Sequence, residues 1–94
     1  MTHRTMLACK LALKASDHGA FAWHMARNAA SAGTPERMRP NYAAWAGHDA
    51  ASYGVYFACL VGELVRAGCY DDAAPAVALQ MVFEAHQVAG RGAP

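Results

Sequence analysis

The sequence contains no isoleucine and few other β-branched residues, with three threonines and six valines among 94 residues. Because β-strands are enriched in these residue types, their scarcity argues against a β-sheet. Alanine, the best helix former, is the commonest residue, with 23 copies. The composition therefore predicts an all-α protein, and the length predicts a single domain with a thin stability margin.

Long apolar runs are also missing. The longest, at about residues 55–62, is far shorter than the ~20 residues of a membrane-spanning helix. The first 14 residues hold three basic residues and no long apolar segment, so we expect no secretory leader. Three cysteines make an odd number without CxxC spacing, which favours reduced thiols. We therefore expect a cytoplasmic protein that does not contact a membrane.

Sequence motifs for catalysis or for cofactor binding are absent. The chain has no HExxH, no GxGxxG and no GxxxxGK. Ser16, Asp17 and His18 have the residue types of a hydrolase triad, but adjacent side chains point in different directions. We predict no enzymatic activity, no metal site and no cofactor. A metal-dependent enzyme that uses His48, Asp49 and a second histidine is an alternative hypothesis.

The clearest periodic pattern lies between residues 53 and 65. Its large apolar residues follow the i, i+3, i+4, i+7 spacing of an amphipathic helix: Tyr53, Tyr56, Phe57, Leu60, Val61, Leu64 and Val65. A row of small residues runs beside them at four-residue spacing: Gly54, Ala58 and Gly62. We expect this helix, near residues 50–67, to be central and packed on two sides, and to end at Gly68.

Two interruptions are expected in the helical pattern. Ser16 or Asp17 can cap a second helix after the first one. In a continuous helix Asp49 would fall near the middle of the apolar face, where an unpaired carboxylate is costly, so we expect a break at Gly47–Asp49. Asn41 can cap a short helix before that break. The four main predicted helices are then 5–15, 18–31, 50–67 and one from Asp71–Asp72 to about residue 88.

These helices predict a small four-helix bundle of two antiparallel helical hairpins. We expect one helical domain over residues 1–94, with a linker at about 33–40 and a disordered tail at about 90–94. The last helix has apolar groups on two sides, with Leu79, Val82, Phe83 and His86 on one and Val77, Met81, Glu84 and Val88 on the other. Two helices with more than one apolar face predict a homodimer.

Charge is unevenly distributed along the chain. Residues 1–40 carry six basic and two acidic groups, a net of +4, whereas residues 41–94 carry two basic and five acidic groups, a net of −3. Binding of DNA or RNA needs cations that converge on one surface. A nucleic-acid-binding accessory protein is therefore an alternative hypothesis, and its candidate residues are Lys10, Lys14, Arg37 and Arg39.

The sequence lacks catalytic motifs but contains residue types that favour protein–protein contacts. Trp, Tyr and Arg dominate the energetics of protein interfaces, and the candidates in this chain are Trp23, Arg37, Arg39, Tyr42 and Trp45. The sequence therefore predicts a non-enzymatic protein-binding module. Such a module would be an adaptor, or a small inhibitor or regulator of a larger protein complex, of the size that phages and mobile elements often encode.

Overall fold

A computed structural model describes residues 3–92 of the chain. They form three α-helices, α1 (His3–Ala30), α2 (Arg39–Arg66) and α3 (Ala74–Gly92), and a 3₁₀ turn (Glu36–Met38) before α2. No strand occurs in this part of the chain, so the all-α prediction is confirmed. The two 28-residue helices pack antiparallel as one long hairpin, and α3 packs against both of them.

The predicted four-helix bundle is wrong, because the described residues form three helices. Helix α1 continues through Ser16 and Asp17, and α2 continues through the predicted break at Gly47–Asp49. Nδ1 of His18 donates a hydrogen bond of 2.9 Å to Oδ1 of Asp49 across the hairpin. The Asp49 carboxylate is thus paired. The energetic cost from which a break in α2 was predicted is therefore absent.

The connections differ from their predicted positions by a few residues. The segment between α1 and α2 spans residues 31–38, and Pro40 lies in the first turn of α2, where its missing N–H is harmless. Asn41 consequently lies inside α2 and is not its cap. Helix α3 continues through Gly92, so the first part of the predicted tail is helical, while residues 93–94 lie outside the described residues.

The predicted end of the central helix at Gly68 is confirmed. Gly68 has a φ of 103°, a left-handed conformation that favours glycine. The N–H of Cys69 donates to the carbonyl of Leu64 at 2.9 Å, and the N–H of Gly68 donates to the carbonyl of Val65 at 3.0 Å. This pair of bonds is a Schellman motif, which satisfies carbonyls that the end of a helix would otherwise leave unpaired.

The core is small and rich in alanine. Its buried residues are Ala8, Ala12, Ala15, Leu60, Ala78 and Val82. Leu60 is the largest fully buried side chain, and Tyr53, Tyr56 and Phe57 pack against this cluster. Six of the seven apolar residues predicted between 53 and 65 are therefore confirmed on the packing face of α2, whereas Val65 is exposed. No helix within residues 3–92 is long and apolar enough to cross a bilayer.

The row of small residues on α2 is not a packing surface in this chain. Gly54 and Ala58 are exposed, and a Cβ added at Gly54 or Gly62 would meet nothing within 4 Å. Helix α2 packs against both α1 and α3, but within the described residues no helix covers this row of small residues. Close approach occurs instead at Gly19, where an added Cβ would lie 3.0 Å from Cδ2 of Tyr53.

Candidate functional site

An open apolar groove of about 950 Å³ lies between α1 and α3. Small residues of α1 line it, namely Ala15, Ser16, Gly19 and Ala20, and Trp23, Leu79 and Phe83 stand at its sides. None of its thirteen lining residues is Asp, Glu, Lys or Arg. We call this surface the α1–α3 groove.

The spacing of apolar residues on α3 produces one wall of the groove. Ala74, Ala78 and Val82 follow one another at four-residue steps and are buried against the hairpin. Leu79 and Phe83 each follow a member of this row by one residue, so they are rotated by about 100° and stand beside the contact. Leu79 is therefore 57% exposed and Phe83 is 55% exposed.

Trp23 forms part of the opposite wall and is 59% exposed. The guanidinium carbon of Arg27 lies 5.3 Å from the centroid of the indole, which is a cation–π geometry. The His24 ring meets the indole edge-on, with 5.2 Å between the centroids. Two neighbours on α1 thus contact the Trp23 indole beside the groove.

A second candidate is the polar pair in the middle of the hairpin. The side chains of His18 and Asp49 are 30% and 15% exposed, and the His18 ring stacks on Tyr56 with 5.4 Å between the centroids. A histidine oriented by a carboxylate is one part of a hydrolytic site, but catalysis also needs a nucleophile or a metal. No three His, Cys, Asp or Glu side chains between residues 3 and 92 converge to hold a metal ion.

The Asp49 carboxylate is hydrogen-bonded to His18, and not to His48, the residue that the metal hypothesis placed beside it. His48 is exposed, while Asp49 points into the hairpin and bonds His18. The sequence offered little to reveal this pair, because the two residues are 31 positions apart. The relevant signal was the place of Asp49 on the apolar face of α2, which requires a partner from another element.

The predicted protein-binding aromatics lie on two surfaces. Tyr42 and Trp45 contact each other edge-on, with 5.7 Å between the ring centroids. Neither Tyr42 nor Trp45 lines the α1–α3 groove, whereas Trp23 does. Trp45 is 51% exposed on α2.

The structure does not bring the four basic candidates together. Arg39 donates hydrogen bonds to the carbonyls of Ala29, at 3.4 Å, and Ser31, at 2.9 Å, so it is held at the end of α1. Arg37 is exposed nearby. Lys10 and Lys14 are exposed on the other half of α1, and about 24 Å of helix separates Lys14 from Ala30.

No protein-family model, no curated protein and no solved structure matches this chain. The fold defines a small all-α protein of three described helices.

Proposed function

We propose that this protein is a non-enzymatic protein-binding module, an adaptor or a small inhibitor, and that the α1–α3 groove is its binding surface. The observation that carries the proposal is the position of Trp23, Leu79 and Phe83, all more than half exposed, around one uncharged groove. Contiguous exposed apolar surface marks interaction sites in proteins. A groove between two helices accepts the apolar side of a third helix.

The chemistry of the groove indicates how it would bind. Without charged lining residues, binding free energy would come mainly from burial of aromatic and aliphatic surface. Arg27 and His24 already orient Trp23, which lowers the entropy lost when the indole is fixed against a partner. The odd number of cysteines supports, in addition, a cytoplasmic location for this module.

The proposal is tested with Phe83→Glu, which places a charge in the groove, and Val88→Glu as the matched control. Val88 is on the same helix and is 64% exposed, but it does not line the groove. Proteins retained from the source cell by the wild-type chain and by both variants are compared. A protein that is retained is then purified, and its dissociation constant for each variant is measured by calorimetry.

We expect Phe83→Glu to weaken binding by about 30-fold or more, the effect of losing an interface hot spot, and Val88→Glu to change it little. Circular dichroism of both variants verifies that the helices are retained. Equal affinity of the two variants for the partner would contradict the proposal, as would wild-type protein that retains nothing.

A further inference from the structure

We infer that the partner in the α1–α3 groove is a second copy of this chain, in a two-fold dimer in which α3 of each protomer lies in the groove of the other. The inference rests on the proposed function, because both assign binding to this groove. It is supported by the exposed area, the shape of the molecule, the chemistry of the groove and its self-complementarity.

The single chain exposes more surface than its size requires. Its accessible area is 6451 Å², whereas a compact monomer of 10.0 kDa exposes about 5,200 Å². The excess of about 1,200 Å² is larger than the roughly 800 Å² that each partner buries in a standard interface. A compact chain of this length would bury this excess area within itself. Self-association through one face would instead bury such an area between two copies.

The shape of the molecule indicates the same deficit. The radius of gyration is 15.4 Å, compared with about 12 Å for a globular chain of this length. The principal extents are 49 × 30 × 18 Å, so the molecule is elongated along its two 28-residue helices. A second copy packed on the groove would make the assembly less elongated than the single chain and would cover the apolar side chains beside the groove.

The chemistry of the groove favours a second copy over a charged peptide. Cores of homodimer interfaces are more apolar than the rest of the surface and are depleted in charged residues. The α1–α3 groove has no Asp, Glu, Lys or Arg in its lining, and the nearby Arg27 guanidinium lies against the Trp23 ring at its edge, so the groove itself offers mainly apolar contacts. An apolar surface such as that formed by Leu79 and Phe83 on α3 adds no charged side chain to this groove.

The groove surface is also self-complementary in shape, because it contains both a ridge and a trough. Leu79 and Phe83 form a ridge one helical turn long, and the partly exposed small residues Gly19 and Ala20 of α1 form the trough beside it. In a two-fold dimer the same patch is used twice, so the ridge of each protomer can enter the trough of the other. Ridges that pack into grooves are the normal geometry of helix–helix contacts.

Self-association would regulate access to the binding surface. A dimer that fills both grooves leaves neither of them open for another protein, so a heterologous partner must compete with dimerisation. The fraction of chains able to bind such a partner would then fall as the chain concentration rises above the dimer dissociation constant.

Sedimentation velocity over a roughly 100-fold range of concentration tests the inference on wild type, Phe83→Glu, Val88→Glu and Val55→Glu. Val55 is 62% exposed and lies on α2, outside the groove. We expect a species of twice 10.0 kDa for the wild type and for both control variants. We expect Phe83→Glu to remain a monomer with unchanged helix content.

Hydroxyl-radical footprinting of the unmodified chain provides a readout that does not depend on any variant. As concentration rises, oxidation of Trp23, Leu79 and Phe83 should fall together, while that of Val55 and Val88 should stay constant. A wild-type chain that is monomeric throughout would overturn the inference, as would a dimer that Val55→Glu dissociates or that leaves the groove residues open to oxidation. If the chain is monomeric but Phe83→Glu still abolishes binding of another protein, the dimer is refuted and the proposed function stands.

Discussion

At the scale of single residues, His18 and Asp49 form a polar contact in the middle of a largely apolar interface. The side chain of Asp49 is only 15% exposed, and Nδ1 of His18 is its hydrogen-bond donor. Removing one partner of such a pair leaves the other desolvated without compensation. We therefore predict that Asp49→Ala lowers the free energy of unfolding by about 1–3 kcal/mol, measured by urea denaturation.

His48→Ala is the matched control, because His48 is the preceding residue and is exposed. Its effect should stay within about 0.5 kcal/mol, as for most surface substitutions. If the two variants are equally stable, the pair does not contribute to the hairpin. Replacement of both His18 and Asp49 by leucine should cost less than Asp49→Ala alone, since no polar group is then left unpaired.

Glycines inside the helices differ in what surrounds them, and their alanine variants should differ accordingly. An added Cβ meets nothing within 4 Å at Gly47 and Gly54, so Gly47→Ala and Gly54→Ala should each stabilise the protein by up to about 1 kcal/mol through helix propensity. At Gly19 the added Cβ would lie 3.0 Å from Tyr53, and the ring must shift. We predict that Gly19→Ala has a lower thermal midpoint than either of the other two variants. Three equal midpoints would show that Tyr53 does not pack closely on α1.

At the scale of secondary-structure elements, Arg39 connects the end of α1 to the start of α2. Its guanidinium donates to the carbonyl of Ala29 in the last turn of α1, which lacks an intrahelical partner, and to the carbonyl of Ser31 just after the helix, which also accepts from the N–H of Thr34. We predict that Arg39→Ala lowers the free energy of unfolding by about 1 kcal/mol and speeds hydrogen exchange at residues 29–34. Arg37→Ala, two residues away at an exposed position, should leave both measurements unchanged; the same change in both variants would contradict this role of Arg39.

The identity of the elements could be predicted from local sequence more fully than their boundaries. Spacing of apolar residues identified the helical face from Tyr53 to Val65, and Gly68 marked the end of that helix, because both signals act within a few residues. The break at Gly47–Asp49 was predicted from the cost of an unpaired carboxylate. The structure removes that cost with His18, which is 31 positions away and which no local pattern identifies as a partner.

The groove could be predicted only in part, for the same reason. Leu79 and Phe83 were placed on one apolar side of the last helix, but the helix that faces them depends on how three elements pack. Trp23 was selected by residue type and does line the groove, whereas Trp45, selected in the same way, does not line it. Residue type thus predicted which side chains favour contact, and only the packing of the helices shows which of them share a surface.

At the scale of the whole molecule, stability should depend on how many copies share the core. Leu60 is the largest fully buried side chain, and Trp23, Leu79 and Phe83 each remain more than half exposed. If a second copy covers the α1–α3 groove, folding is coupled to association, and mass action stabilises the folded state. A 100-fold increase in chain concentration should then add about 2.7 kcal/mol per dimer to the free energy of unfolding, seen as a rise in the thermal midpoint.

The groove variants separate this coupling from a general change in stability. Phe83→Glu should have a thermal midpoint that does not depend on concentration, because it folds as a monomer. Val88→Glu, an equal change in charge on the same helix, should retain the concentration dependence of the wild type. A wild-type midpoint that is constant over the whole range would mean that the chain reaches its full stability alone, and that the area exposed around Trp23 and Phe83 is reserved for a different protein.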